Sequence, residues 1–218
     1  MERVDDLQYN GLRMIQDPEL PCFTADAVLL ANFLRLKSKD RVVDLGSGSG
    51  VVSILGQAKT GARFVGVEKQ KALCGLAARS AEMNAQDIPF FCMDVAGAPA
   101  ALGRGTFSAA VCNPPYYRAG EKSPDEARAL SRHADAPEPF FSAAFQLLNN
   151  GGLLFLSYPC ALLSPVFLLL SRARLEPKRL RLVAANEQKA PYLALIEAKK
   201  LGKPGLKMEN LMFLNRRT

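Results

Sequence analysis

The 218-residue sequence has little of what metal centres, disulfide-bonded proteins and membrane proteins require. It contains one histidine, His133, and five cysteines that form no Cys-x-x-Cys pair. We therefore expect reduced thiols and no bound metal. The longest apolar stretches, near 153–156 and 166–170, are far shorter than the roughly 20 residues of a membrane span. The first residues lack the apolar segment of a signal peptide, so we expect a cytoplasmic protein without a membrane partner.

Acidic residues are scarce only near the C-terminus. Residues 172–218 hold 12 lysines and arginines and 4 acidic residues, whereas residues 1–171 hold 16 basic and 17 acidic ones. The net charge of the whole chain, +7, therefore arises in its last fifth. Such asymmetry favours a polyanionic partner such as RNA, although scattered solvated side chains would produce the same count.

Short apolar runs alternate with amphipathic segments along most of the chain. Strands are predicted at 41–45, 63–68, 88–93, 107–112 and 153–158, and helices at 28–36, 51–59, 71–84, 140–148 and 161–173, with 149–152 ending a helix. The alternation predicts an α/β fold, in which helices cover both faces of a mostly parallel sheet. Two last strands, 179–185 and 192–199, have no helix between them, which predicts an antiparallel hairpin at the sheet edge. We expect one domain, with an N-terminal segment (1–38), a catalytic core (39–200) and a basic extension (201–218).

A glycine-rich turn follows the first of these strands. Asp44 precedes the turn Gly46-Ser47-Gly48-Ser49-Gly50, and a helix begins after it. Glycines there let a ligand approach the backbone at the carboxyl ends of the strands, although a plain turn would look similar. A dinucleotide loop, G-x-G-x-x-G, would place its third glycine at Val51, so that fingerprint is incomplete. The carboxylate of Asp44 suits a cationic amino group better than a diphosphate.

Acidic residues also end the next two strands. Glu68 can accept hydrogen bonds from both ribose hydroxyls, and Asp94 can accept one from an adenine amino group. Thr24 or Asp26 can cap the first helix. The predicted cofactor site comprises Thr24, Asp26, Asp44, Gly46, Ser47, Gly48, Gly50, Glu68, Lys69, Asp94, Val95 and Asn113. One acidic strand end is commonplace, but three on successive strands favour a binding site.

The fourth strand ends in Asn113-Pro114-Pro115-Tyr116, which could be no more than an Asn-Pro turn. Its place at the ligand edge favours a catalytic role for all four residues. An amino group on an aromatic ring is a weak nucleophile, because its lone pair is delocalised. The Asn113 side-chain oxygen and the Pro114 carbonyl can accept from its two N–H bonds, and the tandem prolines restrict both. Tyr116 can stack on a planar target, and no strong base is needed.

Together, DLGSGSG (44–50), GVEKQ (66–70) and NPPY (113–116) resemble the amino-methyltransferases of the class I fold. Residues 23–30, the NPPYY turn with the later Arg132-His133, and PKRL (177–180) are similar to the bacterial tRNA(Val) adenine-N6 methyltransferase family. The resemblance implies a Rossmann-like, seven-stranded sheet of order 3-2-1-4-5-7-6 with the last strand antiparallel. It also implies S-adenosylmethionine as the methyl donor and tRNA, near its anticodon, as the acceptor.

Candidate substrate-binding residues are Tyr117, Arg132, His133, Lys178, Arg179 and Arg181. The resemblance suggests a role for His133, which follows Arg132, near the target base or the RNA backbone, with a solvent-exposed loop as the alternative. Tyr117 would flank the cofactor or the target, or simply pack. The basic residues of the C-terminal region would hold phosphates. Other acceptors stay open, because the NPPY turn also occurs in DNA adenine and protein glutamine-N5 methyltransferases. Only 40 residues precede the first strand, whereas the glutamine enzymes usually carry a separate N-terminal substrate domain. A catalytically silent RNA-binding module is the remaining alternative.

Overall fold

A small hairpin begins the chain, and the sequence pattern did not predict it. The structure is a computed structural model that describes residues 1–114 and 137–214. Strands β1 (Arg3–Asp6) and β2 (Arg13–Gln16) pair antiparallel as a separate two-stranded sheet. The backbone N–H of Ile15 donates to the buried Ser80 hydroxyl over 3.0 Å, which ties the hairpin to helix α3 (Lys71–Met83).

The main sheet alternates with helices, as the apolar pattern predicts. Its principal strands are β3 (Arg41–Leu45), β4 (Arg63–Glu68), β5 (Phe90–Cys92), β6 (Phe107–Cys112), β7 (Leu148–Pro159), β8 (Leu175–Ala184) and β9 (Leu193–Lys200). The other helices are α1 (Ala25–Phe33), α2 (Val51–Thr60), α4 (Ala98–Leu102), α5 (Glu138–Leu147) and α6 (Leu163–Arg172). Short 3-10 turns precede α4 and α6 at Val95–Gly97 and Cys160–Leu162.

The strands lie in the order β5-β4-β3-β6-β7-β9-β8, which is the order that the family resemblance implies. Strand β9 runs antiparallel to both β7 and β8, and the other pairs are parallel. Two short strands, β10 (Lys207–Met208) and β11 (Met212–Phe213), then pair in parallel with β8. The predicted basic extension therefore continues the sheet edge as far as residue 214.

Each strand of the sheet centre is buried on both faces. Val42 and Val43 are neighbours on β3, both fully buried, yet they belong to cores on opposite faces. Helices α1 and α2 cover the first face, and α5 and α6 cover the second. This arrangement explains why the strands read as continuous apolar runs rather than alternating ones. In the described ranges, no helix is long and apolar enough to cross a membrane.

Several predicted boundaries are wrong. Strand β8 begins at Leu175, four residues before the predicted start at 179. Helix α1 begins three residues earlier than predicted, and Thr24 occupies its N-cap without a side-chain capping hydrogen bond. Residues 149–152 do not end the preceding helix in a loop; they are part of β7, which begins at Leu148. The pairing of β6 with β7 shifts register between Phe107 and Ala109, and this irregularity accommodates the Asn-Asn-Gly-Gly segment within the strand.

Candidate active site

A cleft of about 640 Å³ opens at the carboxyl ends of β3 and β6. Residues from four regions meet there: the segment before α1 with its first turn, the end of β3 with the glycine turn and the start of α2, the start of α3, and the end of β6. The lining residues are Pro21, Cys22, Phe23, Thr24, Ala27, Asp44, Gly46, Ser47, Gly48, Ser49, Val51, Val52, Leu73, Asn113 and Pro114. Parallel strands bring their carboxyl ends to one edge, which is why residues far apart in sequence converge here.

The glycine turn is tied to the neighbouring strand. The backbone N–H groups of Gly46 and Ser47 both donate to the Val67 carbonyl, over 2.8 and 3.0 Å. All three glycines have positive φ, with values of 71° at Gly46, 55° at Gly48 and 88° at Gly50. A side chain built at Gly48 would meet no atom within 4 Å, so the missing Cβ leaves the cleft open at this point.

Glu68 also holds the glycine turn in place, through hydrogen bonds from backbone N–H groups to its carboxylate. Its Oε2 accepts from the Gly48 N–H over 3.0 Å, and its Oε1 accepts from the Gln70 N–H over 2.8 Å. The side chain is almost fully buried. Each carboxylate oxygen keeps a further acceptor position, so the residue can still receive hydroxyl donors in the way predicted for a ribose.

Asp44 lies at the buried floor of the cleft. Its Oδ2 accepts from the Ser53 hydroxyl over 2.7 Å. Burial raises the pKa of Asp44 to about 7, the Ser53 hydrogen bond opposes the rise, and the negative charge of Glu68 adds to it. A cationic group of a ligand would favour the ionised form of Asp44, because the two charges attract in a site removed from water.

An unsatisfied hydroxyl lies in the same turn. Ser47 Oγ is buried and has no hydrogen-bond partner in residues 1–114 and 137–214. A buried polar atom without a partner costs about 1–3 kcal/mol, and Ser47 lines the cleft. This unpaired donor, the buried carboxylate and the open glycine position fit a ligand with hydroxyl and ammonium groups.

The predicted cofactor residues divide into two groups. Thr24, Asp44, Gly46, Ser47, Gly48 and Asn113 line the cleft, whereas Asp26, Gly50, Glu68, Lys69, Asp94 and Val95 do not. Lys69 and Asp94 are exposed at the same edge, and Asp94 accepts from the Ala96 N–H over 2.9 Å. Val95 packs into the core, so its side chain is not available to a ligand. Thr24 lines the cleft from the N-cap of α1, and its side chain makes no capping hydrogen bond.

Asn113 directly follows β6 at the mouth of the cleft, and Pro114 is buried beside it. The Asn113 Oδ1 accepts from the Ser157 hydroxyl over 2.6 Å. The other predicted residues of this region, Pro115, Tyr116, Tyr117, Arg132 and His133, lie outside the described residues.

The predicted phosphate-binding arginines are not placed as expected. Arg179 is buried; it donates to Glu197 over 2.7 Å and to the Phe33 carbonyl over 2.9 Å, and its guanidinium covers the Phe33 ring. Its strand lies three strand spacings, about 14 Å, from β6. Arg179 is therefore not accessible to an RNA phosphate, because its guanidinium is buried and already hydrogen-bonded to Glu197 and Phe33.

Glu209 joins these arginines to the C-terminal extension. It accepts from Arg179, Arg181 and Arg35, of which Arg35 is the most exposed. Burial alone would raise the pKa of Glu209, but the three arginines together hold it below its ordinary value. Arg181 is thus ion-paired and one-third exposed, whereas Lys178 donates to the Lys203 carbonyl over 3.0 Å. These contacts fasten the extension to β8.

Sequence reasoning missed several residues of the site. Pro21, Cys22 and Leu73 line the cleft, and Ser53 and Ser157 donate hydrogen bonds to the side chains of Asp44 and Asn113. A signal for the two serines exists in the sequence, since each interrupts an apolar run, VVSIL at 51–55 and LLFLSYP at 153–159. Polar residues at such positions must find a buried partner.

Comparison with known proteins agrees with this geometry. The methyltransferase small domain family matches residues 24–162, which span the cleft and the Asn-Pro-Pro-Tyr turn. The chain belongs to this family. As a member of the family, it is an S-adenosylmethionine-dependent methyltransferase, which confirms the predicted enzyme class and cofactor.

Curated relatives share most of the chain. The tRNA1(Val) (adenine(37)-N6)-methyltransferase of Shewanella sediminis is 24% identical over 180 residues, covering 78% of this chain and 72% of the relative. The protein of the same name from Shewanella sp. (strain MR-4) is 28% identical over 182 residues, covering 79% and 75%.

Solved structures share the fold and confirm the predicted class I architecture. A predicted O-methyltransferase from Agrobacterium tumefaciens superposes with a TM-score of 0.70 at 20% identity, covering 87% of both chains. The 16S rRNA guanine-N2 methyltransferase of T. thermophilus, in complex with AdoMet and guanosine, has a TM-score of 0.67 at 21% identity, covering 92% of this chain and 50% of its own.

Proposed function

We propose that this methyltransferase transfers the methyl group of S-adenosylmethionine to N6 of an adenine near the anticodon of a tRNA in the cytoplasm. The observation that carries the proposal is that Asn113 and Pro114 line the same cleft as Asp44 and the glycine turn. An acceptor amine held by Asn113 and Pro114 would face a methyl donor held by Asp44 and the glycine turn. The names of the curated relatives support tRNA as the acceptor.

The residues of the cleft, together with Glu68, which accepts from the Gly48 N–H beside it, suggest which side chains would hold the donor. Asp44, when ionised, would accept from the ammonium group, and Glu68 from the ribose hydroxyls. Ser47 would gain a partner for its buried hydroxyl. When bound, the donor supplies a methyl group already activated by the positive charge on sulfur.

The acceptor amine needs orientation more than deprotonation. The Asn113 side-chain oxygen and the Pro114 carbonyl would accept from its two N–H bonds, which favours a pyramidal nitrogen with an available lone pair. Pro114 is buried and has a fixed φ, and its place before Pro115 in the sequence restricts its ψ, so the second acceptor would move little. Because the methyl donor is activated, positioning by these two groups accounts for the main requirement of the reaction.

The RNA backbone would meet basic residues at the other end of the sheet. Exposed basic residues at the amino ends of the parallel strands and in the loops beside them are Lys37, Lys39, Arg41, Lys59, Arg63, Arg104, Arg172, Arg174, Lys199 and Lys203. At the end of the sheet that holds the cleft, the described exposed charges are mixed, with Glu19, Asp94, Glu138 and Glu187 as well as Lys69, Lys71 and Lys189. A tRNA is longer than this domain, so an RNA with one base in the cleft can extend to the basic end. Lys178, half-buried beside Lys203, remains a candidate phosphate contact.

Methyl transfer from tritiated S-adenosylmethionine tests the acceptor. Purified protein is incubated separately with total tRNA, total rRNA, DNA and a protein extract, and labelled RNA is digested to nucleosides. We expect label in tRNA that elutes as N6-methyladenosine and that is absent with Asn113→Ala. Label confined to protein would support the glutamine alternative, and label confined to DNA or rRNA would replace tRNA as the acceptor. Absence of label in every fraction would favour the silent RNA-binding alternative.

A further inference from the structure

We propose that Ser157 is a positioning residue, which holds the Asn113 side-chain amide in the orientation that accepts the target amine. The proposal rests on the proposed function, because it assigns Ser157 to the same acceptor site. Ser157 belongs to none of the motifs of the sequence, and the structure alone brings it to Asn113.

The register of two adjacent strands places the pair. Cys112 on β6 and Leu156 on β7 are Cα partners, so the residues that follow them, Asn113 and Ser157, come next to each other. The Ser157 hydroxyl donates to Asn113 Oδ1 over 2.6 Å. Strand β7 continues to Pro159 and is paired with β9 at Ser157 itself, opposite Leu195, so the serine stands on rigid structure.

The buried, apolar surroundings of Ser157 indicate that the role of its hydroxyl is the hydrogen bond to Asn113. The residue is fully buried, and the three residues before it, Leu154, Phe155 and Leu156, are fully buried apolar side chains. A buried hydroxyl without a partner would cost the protein stability, and Asn113 is the one partner that the described structure provides for it. An alanine or valine would otherwise suit this position in the strand.

The orientation of the Asn113 amide decides whether it can assist the reaction. Its oxygen has two acceptor positions, so one remains for the target amine when Ser157 occupies the other. Rotation of the amide by half a turn would present an N–H group in place of the oxygen. After that rotation the Ser157 oxygen could accept from the NH2 group, but its own O–H would have no acceptor among the described residues, and this buried unpaired donor disfavours the unproductive orientation. A single hydrogen bond of this kind shifts such an equilibrium by about tenfold.

Two variants of nearly equal shape separate the hydroxyl from the packing. Ser157→Thr keeps a hydroxyl and Ser157→Val replaces it with a methyl group of similar size. We expect kcat of the threonine variant to stay within about threefold of the wild type, and kcat of the valine variant to fall by about tenfold or more. The KM for RNA and the affinity for S-adenosylmethionine should not separate the two variants. Equal kcat values for threonine and valine would overturn the proposal.

A spectroscopic comparison of the same variants tests the orientation of the Asn113 amide without any methyl acceptor. The side-chain NH2 signals of Asn113 can be assigned in ¹H–¹⁵N spectra by their loss in Asn113→Ala. We expect these signals to keep their positions in Ser157→Thr and to shift or broaden in Ser157→Val. Unchanged signals in the valine variant would contradict the proposal even if the enzyme acts on an acceptor other than tRNA. If valine does not fold, Ser157→Ala, which adds no bulk, takes its place in both measurements.

Discussion

Ser53 and Asp44 form a hydrogen bond of 2.7 Å inside the protein, at the point where the glycine turn meets helix α2. Ser53 is fully buried and Asp44 is 1% exposed, so neither is solvated. This pair keeps a carboxyl group in a place where burial raises its pKa to about 7. Without a cationic ligand, the ionised form of Asp44 is therefore unfavourable to the folded state.

Replacement of Asp44 by asparagine should change how stability depends on pH. The folded protein keeps a proton on Asp44 between the unfolded pKa, 3.8, and the folded pKa, about 7. The unfolded chain releases this proton, so the contribution of Asp44 to the free energy of unfolding falls as pH rises through that range. The loss is at most about 4 kcal/mol. Asp44→Asn removes this contribution, and denaturant unfolding between pH 5 and pH 8 measures it.

We expect Asp44→Asn to gain stability relative to the wild type as pH increases towards 8. Calorimetric titration with S-adenosylmethionine at the same pH should show binding weakened by about 10-fold or more, because a charge-assisted hydrogen bond is lost. A stability difference between the two proteins that does not vary with pH would contradict the assigned pKa.

Removal of the Asn113 amide should affect catalysis far more than donor binding. Asn113→Ala deletes one of two acceptors for the target amine, and we expect kcat to fall by about 10²-fold or more. The Kd for S-adenosylmethionine should change by less than about threefold. Single-turnover methyl transfer and calorimetry measure the two quantities, and a variant with unchanged turnover would remove Asn113 from the catalytic site.

An alanine at Gly48 should close part of the donor site. Gly48 and Gly11 both have positive φ, 55° and 71°, and a Cβ at either would meet no atom within 4 Å. Each alanine should therefore destabilise the protein by about 1 kcal/mol. Only Gly48→Ala adds a methyl group to the cleft, so only this variant should weaken S-adenosylmethionine binding. Equal affinities in the two variants would place the donor away from the turn.

Arg179 should prove to be a stability residue. Arg179→Ala leaves Glu197 without its buried partner, and we expect a loss of about 3–5 kcal/mol in the free energy of unfolding. Arg35→Ala removes an exposed arginine that also contacts Glu209, and should cost about 1 kcal/mol or less. Denaturant unfolding of both variants compares them directly. Similar losses would show that burial of Arg179 does not set its contribution.

Charge removal at the two ends of the sheet should have different effects on RNA binding. Lys199→Gln with Lys203→Gln acts at the basic end, and Lys71→Gln with Lys189→Gln removes the same charge at the opposite end, where the cleft lies. We expect the first pair to weaken tRNA binding and to reduce the slope of log K against log salt by about 1 per lysine. The second pair should leave both quantities nearly unchanged. The reverse result would move the phosphate contacts to the rim of the cleft.

Local patterns in the sequence predicted much of the fold and of the proposed donor site. The glycine turn after β3 and the acidic residues at the carboxyl ends of three successive strands were predicted from the sequence, because chain direction in a parallel sheet requires consecutive strand ends to meet at one edge. The order of the strands came from the family resemblance instead. Pairing between distant strands depends on packing that a single sequence does not display.

The two serines and the arginine cluster illustrate what the sequence could not provide. Ser53 and Ser157 look like isolated polar residues in apolar runs, and their partners, Asp44 and Asn113, lie 9 and 44 positions away. Arg179 reads as a basic surface residue until the pairing of β8 with β9 brings Glu197 beside it. In each case the partner is supplied by another strand or helix.

The sequence by itself determined the class of this protein: alternating periodicities predict an α/β sheet, and the glycine, carboxylate and Asn-Pro-Pro-Tyr motifs resemble those of the class I amino-methyltransferases, an enzyme class that the family comparison confirms. Only the tertiary structure decided which polar side chains face the cleft and which form hydrogen bonds and ion pairs inside the protein. The physical reason is that a motif requires only neighbouring residues, whereas burial and hydrogen bonding depend on strand register and on the layers packed against the sheet.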